Sequence, residues 1–181
     1  MANDNGIPGV YAPIKYLWAQ IQALGVLDQF DYKGLVPIVP IQDEPALLQA
    51  IGESDGVSSA PYIVYTWYSN GIDSDWFITY DTVVFTVKSQ DLTIARKLIL
   101  LMKTLFRRYD ESATAVNDYV TKTSFGTYDA DYKAYNYTYI SIWALTGGLP
   151  GTTDLEPVHA TVTIRVGFTW DGNDAPLPPL P

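Results

Sequence analysis

The segment from Val158 to Trp170 alternates large apolar side chains with polar or small ones over thirteen residues. Successive side chains of a β-strand point to opposite faces of the sheet, so this pattern predicts a strand with one buried face and one polar face. Such a strand needs partner strands and a layer that covers its apolar side. The segment therefore restricts the chain to folds that contain a sheet.

Two segments earlier in the chain predict a long β-hairpin. Residues 62–68 and 76–88 are rich in aromatic and β-branched side chains, which are favoured on pleated surfaces. Between them lies Asn70-Gly71, a dipeptide typical of tight hairpin turns because both residues tolerate positive φ. We expect the first strand to end there and the second to return beside it.

The other strand signals are less regular. Within 76–88 the apolar positions change parity near Asp81 and Thr82, which predicts a β-bulge or a strand whose two halves pack against different surfaces. Residues 135–145 predict another strand. Residues 35–41 predict an edge strand or an extended segment, because the two prolines in this stretch cannot donate to a ladder.

Apolar residues at spacings of three and four predict helices over 13–25, 45–51 and 92–109. Ser89 or Asp91 is the expected cap of the third helix. Residues 113–119 are compatible with a short helix or a loop. The order of elements predicts an α+β fold, with an antiparallel, twisted sheet, a long β-hairpin and two main helices packed on one face.

The length of 181 residues and an apolar content of 48 % suit one compact domain. We assign residues 1–11 to a leader and residues 12–170 to this domain, with 33–60 as an insertion or loop region. Residues 171–181 form a Pro-rich arm, for which an extended polyproline conformation is expected.

Composition excludes several classes of function. Twenty acidic residues against eleven basic ones give a net charge of −9, which argues against sequence-specific nucleic-acid binding. Cysteine is absent and histidine occurs once, so thiolate and histidine metal sites are not expected, and neither is a cofactor. The chain also shows no secretory signal and no apolar stretch near the roughly 20 residues of a bilayer span, so no membrane association is expected.

No group of residues predicts catalysis, because no nucleophile with its base and no carboxylate pair can be recognised. His159, on the polar face of the last strand, is interpreted as a surface residue. The aromatic series Tyr135, Tyr137, Tyr139 and Trp143 predicts either a sugar-stacking platform or packing within the core or between subunits. A non-enzymatic protein is therefore expected.

Basic residues are concentrated in one part of the chain. Residues 88–122 carry seven bases and four acids, whereas the rest of the chain carries four bases and sixteen acids. Basic and acidic regions on one subunit favour head-to-tail contacts between identical subunits, and such contacts close into rings. The alternative interpretation of the basic residues is a helix face exposed to solvent. The cations expected to face outward from the helix 92–109 are Arg96, Lys97, Lys103, Arg107 and Arg108.

Several of these segments resemble the tail terminator, or tail completion, proteins of long-tailed bacteriophages. The resemblance rests on Pro61-Tyr62-Ile63-Val64-Tyr65, on Asp81-Thr82-Val83-Val84-Phe85-Thr86-Val87, and on Ser89-Gln90-Asp91 leading into a helix. Two closing strands, 135–145 and 158–170, match the end of the family pattern. The resemblance covers residues 12–170.

It implies a virion protein, assembled in the host cytoplasm, that forms a hexameric ring at the head-proximal end of the tail. Its expected partners are the tail tube protein, the head-tail connector or neck proteins, and the tail sheath. Subunit or tube contacts are expected at the basic residues above, at Asn70 and Gly71, and at Pro176, Pro178 and Pro179. The alternatives are a related neck or sheath-terminator protein and a carbohydrate-binding β-rich module.

Overall fold

The computed structural model describes residues 8–52, 60–72, 78–147 and 158–170. In chain order the elements are α1 Tyr11–Leu24, β1 Ile38–Pro40, α2 Glu44–Ile51, β2 Tyr62–Ile72, β3 Thr79–Ser89, α3 Leu92–Leu105, α4 Tyr109–Lys122, α5 Asp129–Lys133, β4 Tyr135–Gly147 and β5 Val158–Trp170. Single turns of 3-10 helix precede α2 and α5. The predicted α+β class is confirmed, and β5 has the bounds that its alternation predicts.

The five strands form one sheet in the order β1-β2-β3-β5-β4. The pairs β2–β3, β3–β5 and β5–β4 are antiparallel, whereas β1 runs parallel to β2, with Ile38 opposite Ile63. The expectation of a purely antiparallel sheet is therefore wrong at one edge. The reason is α2, which lies between β1 and β2 in the chain. A helix in this position carries the chain back to the end of the sheet where β1 began, so β2 runs in the same direction as β1.

The hairpin of β2 and β3 extends further than expected. β2 continues through Asn70 and Gly71, and Ile72 pairs with Thr79, so the predicted tight turn at Asn70-Gly71 is wrong. The register shifts between Ser69 and Ile72, which places a bulge on β2 rather than on β3. A glycine inside a strand often marks a bulge. Asn70-Gly71 therefore marks a bulge in β2 and not the turn of the hairpin.

The predicted helix 92–109 ends at Leu105 in the structure, and α4 begins at Tyr109 after a connection of three residues. Asp91 caps α3 by accepting hydrogen bonds from the backbone N–H groups of Thr93 (2.7 Å) and Ile94 (3.3 Å). Phe106, fully buried, follows the last residue of α3, and extended backbone at Arg108 precedes α4. Residues 113–119 are helical within α4.

The main core lies between one face of the sheet and the three long helices α1, α3 and α4. Its fully buried members include Leu17, Phe85, Leu98, Val116 and Ile164. On the opposite face, α2 packs Leu47 against Tyr62 and Val64. Helices therefore cover the core face, but three of them do so where two were expected, and α2 packs on the other side. Within the described ranges no helix is long and apolar enough to cross a membrane.

Candidate interaction site

The structure exposes all five cations that the sequence assigns to the outward face of the third helix. Arg96, Lys97 and Lys103 lie on α3, and Arg107 and Arg108 lie in the α3–α4 connection. On the opposite side of α3, Ala95, Leu98 and Met102 of the apolar stripe are fully buried. The predicted division into an apolar and a basic face is confirmed for α3, whereas Arg107 and Arg108 are exposed but lie beyond its end.

Three of these cations line a groove of about 870 Å³, which we call the α3–α4 groove. It lies between the end of α3, the start of α4 and the middle of β4. Lys103, Arg107 and Arg108 contribute its positive charge, and Leu100, with 64 % of its surface exposed, contributes apolar surface. Arg96 and Lys97 lie nearer the start of α3 and do not line the groove.

The connection between α3 and α4 gives the groove its shape. The backbone N–H of Ile142 donates to the carbonyl oxygen of Phe106 at 3.1 Å, which ties the connection to β4. The ring of Tyr109 packs on that of Tyr139 with centroids 5.0 Å apart. The backbone N–H of Arg108 donates to the hydroxyl of Ser112 at 3.3 Å. The groove therefore has a wall held in place by the sheet.

One cation of the groove is paired within the chain. Nη1 of Arg108 donates to both carboxylate oxygens of Glu111, at 2.7 and 3.0 Å. Among the described residues, Lys103 and Arg107 have no such ion pair. The groove therefore keeps a net positive charge and is chemically suited to an acidic partner surface.

The excess of negative charge comes from acidic residues outside the described part of the chain. All eleven basic residues lie in the described part of the chain, together with eleven of the twenty acidic residues. The other nine acidic residues are Asp4, Glu53, Asp55, Asp73, Asp75, Asp154, Glu156, Asp171 and Asp174. The described body is thus balanced in formal charge, with a basic groove on its surface.

The remaining predicted contact residues do not join this groove. Asn70 and Gly71 lie in β2, on the opposite side of β3 and β5 from β4. Pro176, Pro178 and Pro179 lie outside the described residues.

The aromatic series of β4 does not form one surface. Tyr137 is 3 % exposed in the main core, and Tyr135 packs beside it against Phe168. The register shifts between Tyr137 and Tyr139, and the second half of the series faces the other way. There the guanidinium of Arg165 lies 5.5 Å from the ring of Trp143. Of the two interpretations of this series, core packing describes Tyr135 and Tyr137, and the four rings do not share one surface on which a sugar could stack.

A second groove, which the sequence analysis missed, has a volume of about 830 Å³. We call it the aromatic groove. Six aromatic residues line it: Tyr11, Trp18, Tyr65, Phe125, Tyr128 and Tyr132. They come from α1, β2 and the region around α5, and are separated by up to 121 positions, so no local sequence pattern unites them. Burial, with smaller contributions from the neighbouring Tyr11, Tyr119 and Tyr128, raises the pKa of Tyr132 to about 12.

Among the described residues, no group of three or more His, Cys, Asp or Glu side chains could hold a metal ion. His159 lies in β5 opposite Lys88 of β3. No protein-family model matches this sequence, and a search of curated proteins found no match.

Proposed function

We propose that this chain is a structural protein of a long-tailed bacteriophage that forms a closed ring, most simply a hexamer, at the head-proximal end of the tail. The ring terminates the tail tube and offers a surface to the head connector or neck proteins, with the tail sheath as a further neighbour. The protein acts by binding and not by catalysis, in the virion.

The observation that carries this proposal is the α3–α4 groove. A ring of identical subunits needs two different, complementary patches on each subunit, because each contact is head-to-tail. The groove supplies a basic patch with an apolar component, and the acidic segments of the chain supply charge of the opposite sign. The motif resemblance described above supports the same conclusion.

The experiment is a charge reversal in the groove. Arg107→Glu places a negative charge where no ion pair with another described residue is lost, so folding should change by less than about 0.5 kcal/mol. Native mass spectrometry should show a ring for the parent and smaller species for the variant. Lys122→Glu is the charge-matched control, since its side chain is 75 % exposed at the far end of α4 and losing its exposed ion pair with Asp118 should cost less than about 1 kcal/mol and leave the ring intact.

Two results would contradict the proposal. One is a parent protein that remains monomeric both alone and in the presence of tail tubes. The other is an Arg107→Glu ring that is as stable as the parent ring. The alternative function, a carbohydrate-binding module, requires a monomer that binds glycans, so the same mass measurement together with a glycan array separates the two.

A further inference from the structure

The aromatic groove has the chemistry of a site for an extended, proline-rich peptide. The rings of Phe125 and Tyr132 stack with centroids 4.1 Å apart and form part of its wall. Tyr128, 56 % exposed, lies at its rim. Flat aromatic rings of this kind pack well against proline rings.

Polar groups in the groove suit the backbone of such a peptide. A polyproline II helix has no internal hydrogen bonds, so its carbonyl groups need external donors. The indole N–H of Trp18 and the hydroxyl of Tyr128 can donate, and no described residue accepts from either. The charged groups in the groove are Lys15, whose Nζ lies 5.9 Å from the centroid of Tyr132, and Asp43.

The chain itself contains a matching sequence. Residues 176–181 are Pro-Leu-Pro-Pro-Leu-Pro. A polyproline II helix has three residues per turn, so Pro176 and Pro179 share one face and Leu177 and Leu180 share another. At about 3.1 Å per residue the six positions span roughly 19 Å. The segment could therefore present several apolar faces to the rings of the groove.

The start of the arm lies near the groove. β5 ends at Trp170, which pairs with Tyr135, three positions after the groove residue Tyr132. Only five residues separate Trp170 from Pro176. One of them, Asp174, has the charge to meet Lys15 at the rim of the groove. A connection of five residues is short enough for the segment to meet either the chain's own groove or that of a directly adjacent subunit, and the proposed ring favours the second.

We propose that the aromatic groove binds residues 176–181 of a second copy of this chain. This inference rests on the proposed ring, since a ring holds a neighbouring arm at high effective concentration beside each groove. Each subunit would then hold its neighbour through two contacts, the α3–α4 groove and the arm.

The direct test uses a labelled synthetic peptide of residues 171–181 and protein that lacks residues 176–181. Fluorescence anisotropy should show binding, and a peptide with its prolines replaced by alanine should not bind. Tyr128→Ala should weaken binding at least about tenfold because it removes an aromatic contact. Tyr68→Ala is the matched control, since Tyr68 is 52 % exposed on β2 outside the groove, and it should bind as the parent does.

Dilution of the full-length protein distinguishes a neighbour's arm from the chain's own arm. If the arm belongs to a second copy, protein diluted to the monomer has a free groove and should bind the labelled peptide as well as the deletion variant does. An arm held in its own groove would block the peptide at every protein concentration. That result, or a Tyr128→Ala variant that binds the peptide as the parent does, overturns the inference.

The outcomes also separate this inference from the proposed function. A ring that assembles normally from the deletion variant, in a protein whose groove binds no peptide, overturns the inference and leaves the proposed function standing. Peptide binding that requires Tyr128, together with complexes of the full-length parent that never close into a ring, would support the inference and contradict the proposed function. Tyr128-dependent binding of oligosaccharides in place of the peptide would assign the groove to sugars and overturn the inference.

Discussion

At the scale of single residues, Leu98 and Leu105 show how burial separates positions that a helical pattern treats alike. Both belong to the apolar stripe of α3, but Leu98 is fully buried and Leu105 is half-buried. Leu98→Ala should lower the free energy of unfolding by about 2–5 kcal/mol, through lost apolar burial and the cavity left behind. Leu105→Ala should cost clearly less. Urea denaturation measures both, and equal losses would contradict this packing.

Asp81 gives a pH-dependent prediction. It is 4 % exposed on β3, its Oδ1 has no hydrogen-bond partner among the described residues, and burial raises its pKa despite the opposing hydrogen bond to Ser69. As pH rises above 3.8, the usual pKa, the unfolded chain releases this proton before the folded protein does. The contribution of Asp81 to stability therefore falls with rising pH until the raised pKa is passed.

Asp81→Asn should remove that dependence, because the amide has nearly the same shape and carries no charge. The variant should gain free energy of unfolding relative to the parent between about pH 4 and pH 7. Parallel urea titrations at the two pH values measure the gain. A difference between variant and parent that is the same at both pH values would show that Asp81 titrates normally.

At the scale of elements, the edge strand β4 is protected by α4. The side-chain amide of Asn117 accepts from the backbone N–H of Tyr137 at 2.9 Å and donates to its carbonyl oxygen at 2.8 Å. This pair of hydrogen bonds occupies edge groups of β4 that could otherwise pair with a strand from another molecule. α4 thus protects the edge as well as the core.

Asn117→Ala should leave both backbone groups of Tyr137 without their partner and cost about 1–3 kcal/mol. It should also promote edge-to-edge association. Urea denaturation and light scattering during prolonged incubation measure the two effects. Asn136→Ala is a suitable control, because the Asn136 side chain is exposed and receives only a long hydrogen bond, 3.3 Å, from Asn117. Equal behaviour of the two variants would contradict the role of Asn117.

At the scale of the whole molecule, the placement of charge predicts how assembly responds to salt. Contacts between the α3–α4 groove and acidic segments are screened as the Debye length falls from about 10 Å at 0.1 M to about 3 Å at 1 M salt. We expect the ring population to decrease over this range, as measured by sedimentation or light scattering. A ring whose stability increases with salt would instead be held mainly by apolar contacts.

The sequence by itself determined much of the local structure. The alternation of Val158–Trp170 requires a strand, the spacing in α3 requires one apolar and one basic face, and proline restricts β1 to an edge. These features follow from side-chain periodicity and backbone chemistry, which act over a few residues. The cap of α3 follows in the same way only to the choice between Ser89 and Asp91, and the structure selects Asp91.

Only the tertiary structure decided the features that depend on distant residues. No glycine or proline in the sequence marks the end of α3. The helix ends where Phe106 is buried and its carbonyl oxygen accepts a hydrogen bond from Ile142. The parallel pairing of β1, the bulge after Ser69 and the division of the β4 aromatic series are set by neighbouring strands. The aromatic groove unites Tyr11 with Tyr132 because folding brings their elements together. Such contacts depend on the packing of the whole chain, and no local period encodes them.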